Sequence, residues 1–494
     1  MKRAPFTIFL RGSIATTAVA LPTAALAHGF GALYTLPVPF WLYGWGAAAA
    51  LVVSFVIVGI FLAGLPRSTT AASRDISETF WVRGLRRLRP GLQLLAVFLL
   101  LLCIVTGFFG NRDPVRNFSL TFFWIIFLLL FTYLTAVLGN LYAAINPWHA
   151  LANGVNRVWR GYTHGRLNYP AWLGDWPALF LYLGFIWFEL FGTGRPQPLA
   201  TFLTVYTLIN LGGVWLVGSR IWFRHWELFS VFLRLMALLA PFDYRPRTDT
   251  EAACLRLRWP FAGLVAERPA HISTVAFVLA MLSTTAFDGL RATQWWVALF
   301  WGDPTGMMEQ WFGVSPINAI AIVRPWFIGW ETLWLLASPF LYLGAYLGTI
   351  WLAKTITRSP RSVRALALDF GYALLPIAIV YNATHYATLI LTHGLKTISL
   401  ASDPFGWRWN LFGTAMQFRA PILPDMGVVW HTQVGLILFG HIVSVWAAHL
   451  IAVRVFPSRK AATLSQLPML ILMIGFTVAG LWILAQPLTV MLMR

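Results

Sequence analysis

Glu189, Asp288, Glu331, His385, His393, His431 and His441 stand inside long apolar runs or at their edges. An ionisable group in such a run is costly unless it faces a cavity, an ion or another charge, so each is a candidate for chemistry. Carboxylates there would accept protons or ligate hard cations, and imidazoles would ligate zinc or copper. At the helical rise of about 1.5 Å per residue, Glu189, Asp288, Glu331 and His431 fall within roughly 6 Å of one apolar boundary. His393 lies at that boundary. His385 and His441 lie deeper, at roughly 13 and 20 Å by the same rise. The spacing of eight residues from His385 to His393 and from His441 to His449 is about 12 Å along a straight helix, so neither pair can hold one ion. Any metal site must therefore combine helices.

The candidate metal ligands are His385 and His441, with His431 and His28 in an outer layer. The candidate catalytic carboxylates are Glu189 and Asp288. Both acids also fit a plainer role as helix-end residues bonded to Trp indoles, and His385 fits a structural histidine bonded across helices. His449, near the opposite boundary, reads as a lone polar anchor. In Asn146-Pro147-Trp148-His149 the proline should end a helix and leave His149 at the headgroup layer.

His28 enters through processing. Lys2, Arg3 and Arg11 flank the apolar run Ile14 to Leu26, which closes on Ala25-Leu26-Ala27, the pattern of a signal peptide over residues 1–27. Cleavage leaves His28 at the mature N-terminus, where its amine and imidazole together form a copper-chelating histidine brace. A first helix that stays uncleaved is the alternative.

The elements that position these groups follow from composition. The chain has 494 residues, 59% hydrophobic and only 11% charged, with 26 Trp and 38 Phe. An ordinary soluble domain carries about 25% charged residues, so this is a polytopic membrane protein. Apolar runs long enough to cross the bilayer cover 40–64, 91–109, 119–145, 172–191, 200–218, 271–290, 327–353, 366–393, 427–453 and 466–487. The expected fold is an all-α bundle of about ten spans, residues 28–494 forming one domain. With His28 outside, 24 of the 36 lysines and arginines fall on the cytoplasmic connections, nine fall outside and three lie in the signal. The net charge of +19 thus records orientation, and no nucleic-acid partner is implied. Both mature termini are expected on the periplasmic side.

Residues Trp226 to Pro241 are apolar but flanked by arginines, which suggests an interfacial helix on the cytoplasmic leaflet with Glu227, Ser230 and Arg234 on its polar face. Two long outer connections, 291–326 and 394–426, are large enough to roof a site. Cys103 in an apolar run and Cys254 in a basic loop offer neither a thiolate metal site nor a disulfide pattern.

Several segments together resemble a bacterial membrane-protein family. They are His28-Gly29-Phe30 with Leu36-Pro37-Val38-Pro39, Leu138-Gly139-Asn140 to Asn146-Pro147, Trp187-Phe188-Glu189-Leu190, Ser283-Thr284-Thr285-Ala286-Phe287-Asp288-Gly289, His385-Tyr386, and Gly440-His441 with His449. Members are commonly labelled fenitrothion hydrolase, after the membrane subunit of an enzyme that cleaves an organophosphorus insecticide. The resemblance implies hydrolysis of aryl phosphorothioate triesters, a second and smaller subunit, and a bacterial inner-membrane location. Such a substrate is lipophilic and would arrive through membrane lipid. A divalent ion, zinc or copper, held by His385, His441 and a carboxylate would activate the attacking water. Two other classes stay open: a transporter or metal-handling permease using the same buried groups, and a copper or haem oxidoreductase using His28 or paired histidines.

Overall fold

Leu, Ile, Val, Phe and Ala fill the long runs, and with no water in the lipid core a spanning backbone must satisfy its own polar groups, so these runs fold as helices. The computed structural model describes residues 38–61, 73–245, 253–418, 420, 422 and 425–486. Among them, nine helices are long and apolar enough to cross a membrane. They are α1 (Phe40–Phe61), α2 (Phe80–Phe109), α3 (Phe118–Leu138), α6 (Pro196–Val217), α9 (Ile272–Arg291), α10 (Ile320–Thr357), α11 (Val363–Gly394), α12 (Met426–Val455) and α13 (Arg459–Ala485). The shorter helices that matter below are α4 (Pro147–Val158), α5 (Trp176–Phe191), α7 (Ser219–His225) and α8 (Leu228–Met236). The result is a multi-pass, all-α bundle. Side-chain caps fix several starts: Asp425, Ser458 and Ser362 accept from the backbone N–H of Val428, Ala461 and Ala365, the usual way to satisfy a helix's first donors.

The expected span at 172–191 is shorter than anticipated. Gly174 takes φ +48° and splits a short turn at Ala171–Leu173 from α5, a break glycine tolerates readily. The remaining 16-residue helix covers about 24 Å.

The expected interfacial helix is a core element instead. In α8, Leu228, Phe229, Val231, Phe232, Leu233, Leu235 and Met236 are all buried, because a helix apolar nearly all round gains most from the interior. Glu227 does not face headgroups. It caps α8 from a fully buried position, accepting from the N–H of Phe229 and Ser230, from the Tyr206 hydroxyl at 2.6 Å and from Asn146 Nδ2 at 3.3 Å. The Asn146-Pro147 step does end a helix, the short Tyr142–Ile145, and the same step opens α4, with Asn146 as cap accepting from His149 N–H. His149 itself bonds Asn153 and lies edge-on to Phe223.

One feature is not helical. Strands β1 (Ser73–Asp75), β2 (Phe242–Arg245) and β3 (Cys254–Arg258) form a small antiparallel sheet in the order β1-β3-β2. Buried Arg258 ties it to the bundle through the carbonyls of Ala240 and Ala237.

Helix α9 is the packing hub, held against α5, α10 and α11, while α12 and α13 pack on α1. On the other side α2 lies against α6, where a Cβ at Gly107 would come 2.6 Å from Ala200 Cβ. The two groups meet where Thr121–Leu130 of α3 packs on Ile390–Gly394 of α11. Both segments are π-helical, a wide-turned form that is rare and concentrates at functional sites.

Candidate functional site

Asp288 sits one turn before the end of α9 and is 3% exposed. A carboxylate there needs donors, and α11 supplies two. The Tyr386 hydroxyl donates to Asp288 Oδ2 at 2.7 Å, and His385 Nε2 lies 3.2 Å from the same oxygen. Both donors come from consecutive residues because α11 runs across α9 at this point. Gly289 permits that approach: a Cβ there would stand 2.6 Å from Ile483 Cγ2 on α13 and 3.3 Å from His385 Cε1. The Asp288-Gly289 and His385-Tyr386 pairs are thus two halves of one contact.

A narrow inner cavity of about 40 Å³ opens beside it, lined by Asp288, Glu189, Tyr386, Asn382, Thr284 and Thr285 among others. Its polar wall is ordered: Tyr182 and Thr284 hydroxyls are 3.1 Å apart, and the Tyr133 hydroxyl donates to Asn382 Oδ1 at 3.0 Å. Glu189, Tyr386, Leu128 and Leu129 also line a second, outer cavity of about 200 Å³. This one lies at the end of the bundle where α5 stops and α6 begins, here termed the outer end. Both π-helical segments contribute to it, Trp124 and Ile125 from α3 and His393 from α11, together with Arg195 and Lys396. Lys396 comes from the 394–426 connection, which also bonds Asn111 and Phe118 through Phe405 and Pro404 and so partly roofs the outer end.

Among the candidate residues, then, Asp288, His385 and Glu189 come together, and the imidazoles otherwise disperse. Helices α11 and α12 do pack on each other, as a shared His385–His441 ion would need. His385 turns to Asp288 instead, and His441 Nδ1 bonds its own helix at Ile437 O, leaving buried Nε2 without a hydrogen-bond partner among the described residues. His431 is exposed, its Nδ1 on Gly427 O and its ring against Tyr43. His28 lies outside the described residues. Among the described residues no three His, Cys, Asp or Glu side chains converge as a metal centre requires, so the proposed donor set does not fit one ion there. Glu331 is occupied by Arg291, with Oε1–Nε 3.2 Å and Oε2–Nη2 2.9 Å, both side chains buried. His449 bonds Gln466 at 3.1 Å.

The groups that reading by depth missed are Tyr386 as a donor, Asn382, and the cations Arg195 and Lys396. Tyr386 had a signal, since it adjoins His385 in the motif. The cations were visible only as outside charge. No protein-family model, curated protein or solved structure matches the chain.

Proposed function

We propose that the protein is a membrane-embedded hydrolase of lipophilic organophosphorus triesters. What carries the reading is the placement of two carboxylates, Glu189 and Asp288, on one cavity that adjoins a larger apolar-walled one at the outer end. An uncharged aryl triester partitions into lipid and packs against Trp124, Phe188 and Leu199 with no charge to desolvate. Glu189 reaches both cavities and bonds no group among the described residues, which leaves its oxygens for water. It takes a proton from that water as the oxygen attacks phosphorus; the phosphorus–aryloxide bond breaks and the aryloxide leaves with the electron pair. Asp288, held by Tyr386 and His385, forms an ordered polar wall behind the attacking water. A nitrophenolate is a good leaving group and needs no general acid. The inner-membrane setting, periplasmic termini and a smaller partner subunit belong to the same proposal.

The test is nitrophenolate release from an aryl phosphorothioate triester by membranes containing the chain, with and without its partner subunit. Glu189→Gln is expected to lower kcat by about 100-fold or more at unchanged insertion. Full activity in that variant would overturn the assignment.

A transport reading has one observation in its favour. Helices α4 and α8 begin inside the bundle, and their caps Asn146 and Glu227 bond each other, the kind of broken-helix meeting that transporters place at a substrate site. Solute flux into proteoliposomes without turnover would select it.

A further inference from the structure

The outer cavity carries charge that an uncharged triester does not use. Arg195 precedes α6, His393 lies in the π-helical part of α11, and Lys396 opens the helix Lys396–Ser402; all three line the same 200 Å³ space. Arg195 comes from one stretch of chain and His393 with Lys396 from another some two hundred residues on, so their meeting is a property of the fold and not of one basic run. Below them the walls are Trp124, Phe188 and Leu199, apolar and aromatic. Cations set above an apolar slot match a molecule that is anionic at one end and greasy at the other, since arginine and lysine recognise phosphoryl oxygens by charge-assisted hydrogen bonds. Glu189, further in, would repel a second negative charge.

We infer that this cavity binds an organic phosphate monoanion with a bulky apolar substituent, its oxygens between Arg195, His393 and Lys396 and its substituent against Trp124 and Phe188. Such a monoanion has two sources. One is the diester left when a triester is hydrolysed; the other is the phosphodiester of an anionic membrane lipid. The site does not depend on hydrolysis and stands if the chain proves to have no triesterase activity.

The experiment is isothermal titration calorimetry on the purified full chain in uncharged detergent micelles, with diphenyl phosphate as probe and triphenyl phosphate as its uncharged counterpart. Diphenyl phosphate is expected to bind saturably, and Arg195→Gln/Lys396→Gln to weaken it about tenfold while leaving triphenyl phosphate unchanged. Arg195→Lys/Lys396→Arg, which keeps both charges, should retain binding and guards against a folding artefact. Competition by phosphatidylglycerol added to the micelles assigns the site to a lipid headgroup; its absence assigns it to a free organic phosphate. The inference is overturned if folded wild-type protein binds no diphenyl phosphate, or if the double Gln variant binds it as tightly as wild type. Triester turnover measured on the same samples reports separately on the hydrolase reading.

Discussion

At Arg291 and Glu331 two opposite charges are withdrawn from solvent and fully committed to each other, with Arg291 Nη1 also donating to Leu190 O and its guanidinium over the Phe191 ring. Removing one partner leaves a buried charge without its counter-ion, so Glu331→Gln should destabilise the protein by about 3–5 kcal/mol. Arg291→Met/Glu331→Leu, which removes both charges, should recover much of that loss; unfolding in detergent measures each. Such commitment is what depth along a sequence cannot reveal. Glu331, Glu189 and Asp288 share a depth, yet one is spent on an arginine, one on a tyrosine and a histidine, and one faces a cavity. Hydropathy fixes a residue's height in the bilayer. Rotation about the helix axis and the identity of the neighbouring helix are two further coordinates, and these sent His385 to Asp288 while isolating His441 and His431.

Helix elements carry the site through close approaches that their glycines allow. Gly289→Ala must push Ile483 or α13 aside, since its new methyl would stand 2.6 Å from Ile483 Cγ2. The expected cost is about 1–3 kcal/mol, with a loss of the proposed triesterase activity beyond the loss of folded protein because His385 lies on the same contact; activity per folded molecule is the measurement. The long helices themselves were legible, because twenty apolar residues have few alternatives. The small sheet was not: its strands are three to five residues long, and β1 pairs with a β3 that lies far off in the chain. In that sheet's surroundings Glu267 is raised above the ordinary glutamate value by burial and by Asp243 beside it, with Arg258, Arg245 and Arg234 opposing without cancelling. A carboxyl raised by folding contributes stability that is fully present below its unfolded value near ~4.3 and is lost as pH rises through the folded value. Glu267→Gln should therefore flatten the decline in melting temperature as pH rises from the unfolded value to the folded one. A variant with the wild-type slope would remove Glu267 as its source.

On the scale of the whole molecule, the short helix α5 decides the topology. If it crosses, 24 basic residues fall on one side and nine on the other; if it does not, every later connection changes side and the counts become 16 and 17. A near-even split would abolish the bias that orients membrane proteins, so the sequence demands a crossing that a helix of about 24 Å does not complete by its own length. The outer cavity resolves this. Irregular backbone at membrane depth is tolerated where it lines a cavity, and Gly192, Gly194 and Arg195, which follow α5, line that one. The irregular backbone that follows α5 is thus a wall of the cavity, and Glu189, in the last turn of α5, faces into the same space. The prediction is that Cys254, in the sheet, reacts with a membrane-impermeant maleimide in spheroplasts only after permeabilisation. A cysteine placed at exposed Thr193, in a Cys103→Ala/Cys254→Ser background, should instead react from outside without it. Exchanged accessibilities, with Cys254 labelled from outside and the cysteine at position 193 only after permeabilisation, would mean that α5 is re-entrant, and would put the cavity, with Glu189 and Asp288, on the face opposite to the one the charge count assigns.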